Sequence, residues 1–190
     1  MSSSAESELP EKPDDPFKLK AALLVSVLAM VLAITSMGGS NAAKEATHFN
    51  ILAANAYAFY QAKNIRQTEY KIAADQMQIQ LTQDKLSAST RALLEKKLAD
   101  YERNIKRYES EPETGEGKKE LMATAKGHEA QRDIALRKDP WFDHAEALLQ
   151  IAIVLTSVAI ITSVAPLIYT AALLGALGSL STLNGFFLFY

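Results

Sequence analysis

"ALLQIAIVLTSVAIITSVAPLIYTAALLGALGSLSTLNGFFLFY" (147–190) contains no Asp, Glu, Lys or Arg. An uncharged run of that length is enough for two membrane helices of about 20 residues each. Pro166 falls between the halves, where a tight connection is expected. The reading is a second span over 145–165 and a third over 167–190. A mean hydropathy of −0.03 hides this segregation.

The first span is read from "FKLKAALLVSVLAMVLAITSM" (17–37), apolar after Lys20. A cleaved signal peptide with "SNA" (40–42) as its cleavage site is the rival reading. The acidic leader and the long apolar core favour an uncleaved anchor. Residues 1–16, rich in Ser, Glu and Pro, read as a disordered tail.

Between residues 38 and 146 the chain is polar and balanced, with 17 basic and 17 acidic residues. Its Ala/Gln/Glu/Lys bias predicts helix. Ile51, Ala58, Ile65, Ile72, Ile79 and Leu86 recur every seven residues, as in a helical seam. A second stripe, Phe49, Leu52, Ala56, Phe59, Tyr60, Tyr70, Ala74, Met77 and Leu81, runs roughly opposite. Two stripes predict more than one neighbour for this helix. Leu94, Leu98, Tyr101, Ile105 and Tyr108 mark a seam on the next helix, and Leu121, Ala125, His128 and Arg132 a weaker one.

"SAST" (87–90) is read as the turn, "EPETGEG" (111–117) as a break and "KDPW" (138–141) as a second break. A helix over 41–86 rises ~69 Å, and helices over 90–111 and 118–144 return ~70–75 Å at the same rise. The expected fold is therefore all-α: three transmembrane helices and a long antiparallel, coiled-coil-like hairpin over 38–144, outside the bilayer.

No general basic field marks nucleic acid as a partner, since the net charge is −2. The absence of cysteine removes disulfides, thiolate nucleophiles and Cys-ligated metals. His48 and His144, with Glu45, Asp143 and Glu146, are the candidates for a metal site, and capping or solvated helix ends explain them more simply. No phosphate loop, dinucleotide fingerprint or nucleophile elbow is present, so neither catalysis nor a cofactor is expected. The spans carry no deep ionisable group, which argues against a coupled transporter. Gln150, Thr156, Ser157, Thr162 and Ser163 are the main polar groups of the second span, and the hydroxyls among them would line a pore if the chain formed an oligomeric channel.

"YAFYQAKNIR" (57–66) concentrates aromatic and cationic residues. Phe59, Tyr60, Lys63, Arg66 and Tyr70 are the candidate partner-binding residues, because aromatics and Arg dominate interface hot spots. The alternative is internal packing, with Lys63, Arg66 and Gln67 on the ring-bearing face and the two cations making ion pairs to Glu129 or Asp133, or cation–π contacts with the nearby rings. Ala171, Gly175 and Ser179 give the third span a close-packing face, and Ala22, Ser26, Ala29 and Ala33 give the first a similar one. Either serves packing within the chain or an oligomer contact.

"AYAFYQAKNIR" (56–66) resembles a "WAYYQAKSIK"-type motif, and "ALLQIAI" (147–153) a companion motif at the start of the second span. Both belong to small bacterial membrane proteins grouped as domain of unknown function 4337. The order of elements from about 17 to 190 is similar too. The resemblance implies a multi-pass protein of the bacterial inner membrane and brings no catalytic residues. Members are often basic between the last two spans, where this chain has the uncharged "SVAPLIY" (163–169). Lys18 and Lys20 place the N-terminus inside and the hairpin in the periplasm, while Lys44, Arg137 and Lys138 argue the reverse.

The expected role is a membrane scaffold or accessory subunit, in contact with lipid and either self-associating or part of a membrane complex. A sensory protein is the alternative, with an oligomeric channel as a third. Against the sensor, no output module follows the last span.

Overall fold

The computed structural model describes residues 16–189. The tail expected over 1–16 lies outside the described residues except for Pro16, as does Tyr190 of the third span. Among the described residues four helices follow one another: α1 (Pro16–Leu81), α2 (Ala88–Glu109), α3 (Lys118–Thr162) and α4 (Ala165–Phe187). Among the described residues there is no strand. α1, α3 and α4 each contain a stretch long and apolar enough to cross a membrane. The described chain divides into two compact units, the residues up to Ala42 with those from Arg137 onward, and Ala43–Leu136.

The first unit packs the first part of α1 and the last part of α3 with α4. Leu28, Leu149, Ala152 and Ala171 form its core, with Leu24, Val31, Ile153 and Leu174 against them. Small residues set the helix spacing. A Cβ on Gly175 would run into the Leu28 side chain, and one on Gly178 would lie 2.9 Å from Leu149 Cγ. The predicted face of the third span is thus used within the chain: Ala171 and Gly175 are buried, and the half-buried Ser179 hydroxyl donates to the Gly175 carbonyl. The similar face read on the first apolar stretch is not packed within the chain, since Ala22, Ser26, Ala29 and Ala33 are all exposed. Thr35 and Thr182 bring their hydroxyls to 2.7 Å, a polar link between α1 and α4 inside an apolar bundle. Large apolar residues on all three helices, among them Leu23, Val27, Val154, Ile161, Leu173 and Leu180, face outward.

Phe142, 2% exposed, seals one end of this unit. Its ring sits where a Cβ on Gly38 or Gly185 would come within 2.5 and 2.9 Å of it, and Phe186 meets it edge-on at 5.0 Å. α1 runs through Gly38 and Gly39, and their missing side chains make room for the Phe142 ring.

α3 corrects the predicted break at "KDPW". The helix continues through Pro140, although an interior proline removes one backbone hydrogen bond and costs about 3 kcal/mol. Ala135, Phe142 and Ala145 are nearly fully buried on either side of it, and this packing outweighs the local penalty. The stretch read as the second span is accordingly the last part of a helix that ends at Thr162, not a separate helix over 145–165. Ser163 turns the chain with φ 55°, and Pro166 occupies the first turn of α4, where its missing N–H costs nothing.

The second unit is a helical hairpin. Gln67 on α1 bonds to Ile105 and Glu109 of α2, while Arg91 bonds to Leu81, so rising numbers on α1 meet falling numbers on α2. α3 runs antiparallel to α1 in the same sense, with Lys63 opposite Glu116 and Tyr57 opposite Glu129. The turn lies at 82–87 rather than 87–90. "SAST" instead starts α2: the Ser87 hydroxyl caps it by accepting from the Thr90 N–H at 3.1 Å.

The two stripes of α1 have different fates. The inward face steps through Ala46, Phe49, Ala53, Ala56, Tyr60, Lys63, Gln67, Tyr70, Ala74, Met77 and Leu81, alternating three and four residues. This is essentially the predicted second stripe, with polar residues at two places. The seven-residue isoleucine column is not the seam. Ile51, Ile65, Ile72 and Ile79 are 53–66% exposed. The seams predicted on α2 and α3 do face inward.

Candidate functional site

The 56–70 stretch does not form one surface patch. The heptad phase of α1 turns Tyr60, Lys63, Gln67 and Tyr70 toward the other helices, and Phe59 away from them, at 63% exposure. Arg66 is exposed.

Gln67 is the centre of the inward group and is 2% exposed. Its amide nitrogen donates to the Ile105 carbonyl at 2.9 Å and to a Glu109 carboxylate oxygen at 3.0 Å. Its amide oxygen accepts from Lys118 Nζ at 2.8 Å. Lys118 also donates to Asn64 at 3.1 Å, pairs with Glu109 at 3.2 Å and lies 5.8 Å over the Tyr60 ring. One turn earlier on α1, Lys63 pairs with Glu116 at 3.1 Å and sits 5.4 Å from the Tyr108 ring centre. The Gln67 amide and the Lys118 ammonium hold the Glu109 carboxyl below the ordinary glutamate value.

The α2–α3 loop is fixed from below by Glu120. Its carboxylate accepts from the Ser110 hydroxyl at 2.6 Å and from the Glu111 N–H at 3.0 Å, which lowers its pKa. A Cβ on Gly117 would collide with this same carboxylate and with the 110–111 backbone, so the loop closes only over a glycine. Farther along, the Tyr57 hydroxyl donates to Glu129 at 3.0 Å, and the neighbouring carboxylate raises its pKa.

Tyr70 packs edge-on to Tyr101 at 5.3 Å and tilted to Tyr108 at 5.7 Å. With Arg66, Glu69 and Ala73 these rings line an open cleft of about 430 Å³. The cleft offers aromatic faces and one charge of each sign.

The expected ion-pair partners need correction. Glu129 and Asp133 pair with Arg132, while Lys63 reaches Glu116, thirteen residues before Glu129. The register set by the 82–87 turn brings 60–70 level with 101–118. Gln67 and its partners Glu109 and Lys118 were not picked out by sequence reasoning as a unit. Their signal was present: a glutamine and a lysine at seam positions of a heptad are polar residues in a core, which need partners.

His48 lies edge-on to Phe49, Phe49 stacks on His128 at 6.1 Å, and His144 lies edge-on to Trp141. Each imidazole is engaged by an aromatic neighbour.

A family model described as a domain of unknown function, DUF4337, matches residues 17–188. The chain belongs to the DUF4337 family. The match covers both units, including the Gln67 cluster and the Phe142 socket. No curated protein and no solved structure matches the chain. In this DUF4337 chain the "YAFYQAKNIR" motif supplies the inward Tyr60 and Lys63, while "ALLQIAI" supplies the buried Leu149 and Ala152.

Proposed function

We propose that this DUF4337 chain is an integral membrane scaffold or accessory subunit that acts by protein–protein interaction. Its three apolar stretches span a bacterial inner membrane, its N-terminus is inside, and its hairpin stands outside the bilayer in the periplasm. The observation that carries the reading is the exposed isoleucine column of α1, on a segment whose opposite face is already packed. Exposed apolar rows of this kind mark interaction surfaces. The outward residues of the first unit supply the lipid-facing surface that spanning helices require.

Affinity purification from native membranes in mild detergent, followed by native mass determination, tests the role. A second chain at fixed stoichiometry, identical or different, is expected. Recovery of a bare monomer overturns the proposal. The orientation is tested separately with Ser89→Cys. Ser89 is exposed at the start of α2, and the chain has no other cysteine to react. Labelling by a membrane-impermeant thiol reagent is expected on intact cells; labelling only after lysis reverses the topology.

A further inference from the structure

We infer that the outward column Ile51, Ala58, Ile65, Ile72 and Ile79 of α1 is a self-association surface that receives the same column of a second copy, in parallel and in register. This rests on the scaffold reading and names the partner.

The first ground is the repeat. A seven-residue column drifts about 20° per heptad on a straight helix and stays in line only under a left-handed supercoil. It therefore matches a partner that is itself a helix with the same repeat, and α1 of another copy is one. The column lies opposite the inward seam, so pairing through it leaves the hairpin's own packing intact.

The second ground is the charge along the flanks. One flank reads Ala54, Gln61, Thr68 and Asp75. The other reads Asn55, Ala62, Glu69 and Gln76. Short neutral side chains dominate both, and a surface that met a strongly charged partner would carry the opposite charge instead. The two carboxylates each have a cation about one turn away on the same helix, Lys71 before Asp75 and Arg66 before Glu69. A copy of itself therefore meets a nearly neutral surface.

The third ground is extent. Residues 51–79 cover ~42 Å of helix, and a strip of that length about 10 Å wide buries on the order of 1,000 Å² over both copies. That is near the lower bound for a specific interface. Anchoring both copies in one membrane raises their effective concentration and fixes their common orientation. A two-fold axis along the membrane normal then sets Ile65 against Ile65 and Ile72 against Ile72 of the second copy.

The test uses the full chain in native membranes with single cysteines. Under mild oxidation, Ile65→Cys and Ile72→Cys should each form a disulfide-linked species of twice the chain mass. Formation at least 10-fold faster than with Lys96→Cys, on exposed α2, is expected. Equal rates at all three positions, or no linkage at 65 and 72, overturn the inference. The double variant Ile65→Glu/Ile72→Glu changes only exposed side chains, so its helicity by circular dichroism should be retained. Its native mass should fall from two copies to one; an unchanged mass with retained helicity also overturns the inference. A wild-type chain bound to a different protein, with no second copy, overturns self-association and leaves the scaffold reading standing. A bare wild-type monomer overturns both.

Discussion

Phe142→Ala is expected to destabilise the first unit by about 3 kcal/mol or more, the usual range for emptying a fully buried aromatic site. The ring is 2% exposed and held by glycines on two other helix segments, so the backbone around it is already close and has little room to collapse into the cavity. Thermal unfolding in detergent, followed by circular dichroism, reads the loss. Gly38→Ala sharpens the test. Its Cβ would fall 2.5 Å from Phe142 Cε1, so alone it should cost about 1–3 kcal/mol by overpacking. In the Phe142→Ala background that clash is gone and the Phe186 ring, 3.0 Å from the new Cβ, has the emptied site to move into, so with alanine's better helix propensity, worth about 1 kcal/mol, the same change should cost much less or become neutral. The coupling between the two sites is the decisive quantity. Additive costs would mean that Phe142 and Gly38 do not share a socket.

Pro140 shows how a local signal misled in this chain. "KDPW" looks like a stop, because an isolated helix breaks or kinks at an interior proline. The use of Gly38 and Gly39 was not readable locally, since the ring they make room for, Phe142, lies far along the chain and only folding brings it near. Pro140 is carried because buried residues before and after it, Ala135, Phe142 and Ala145, pack the helix on each side. By contrast, the apolar stretches were plain in the sequence, since length without charge needs no tertiary information.

The two stripes of α1 were legible, but their assignment was not. Isoleucine every seven residues is the stronger hydrophobic signal, yet one column alone is half a seam. The column that alternates three and four residues through Ala46, Ala53, Ala56 and Ala74 is the complete one, and its small residues allow close approach of the neighbouring helices. The choice between them was obscured by Lys63 and Gln67, which look like surface residues until Glu116, Glu109 and Lys118 are placed opposite them. Those partners lie 42 to 53 residues away for the two bonds that decide it, Gln67 to Glu109 and Lys63 to Glu116. A turn misplaced by a few residues moves all of them.

Gln67→Leu should therefore destabilise the hairpin although it keeps helix propensity and adds apolar area to a buried position. The amide satisfies a backbone carbonyl, a carboxylate and an ammonium together. Removing it strips the Ile105 carbonyl of the amide donor and Lys118 of one acceptor, a loss of about 2 kcal/mol. If the glutamine served only to fill space, leucine would be neutral or better. The same cluster fixes an acid response. Glu109 has a lowered folded-state pKa, so its contribution is fully present above the ordinary glutamate value of 4.5 and is lost as pH falls through the lower folded value. Thermal midpoints measured downward from pH 5 should drop for the wild-type chain. They should drop less for Gln67→Leu, because the first and largest cause of the Glu109 shift is the Gln67 hydrogen bond itself. Lys118→Met should also flatten the acid response, through loss of the second donor. An acid profile identical in all three chains would show that Glu109 is not held by this cluster, and the interior polar contacts of α1 would then have to be assigned to other groups.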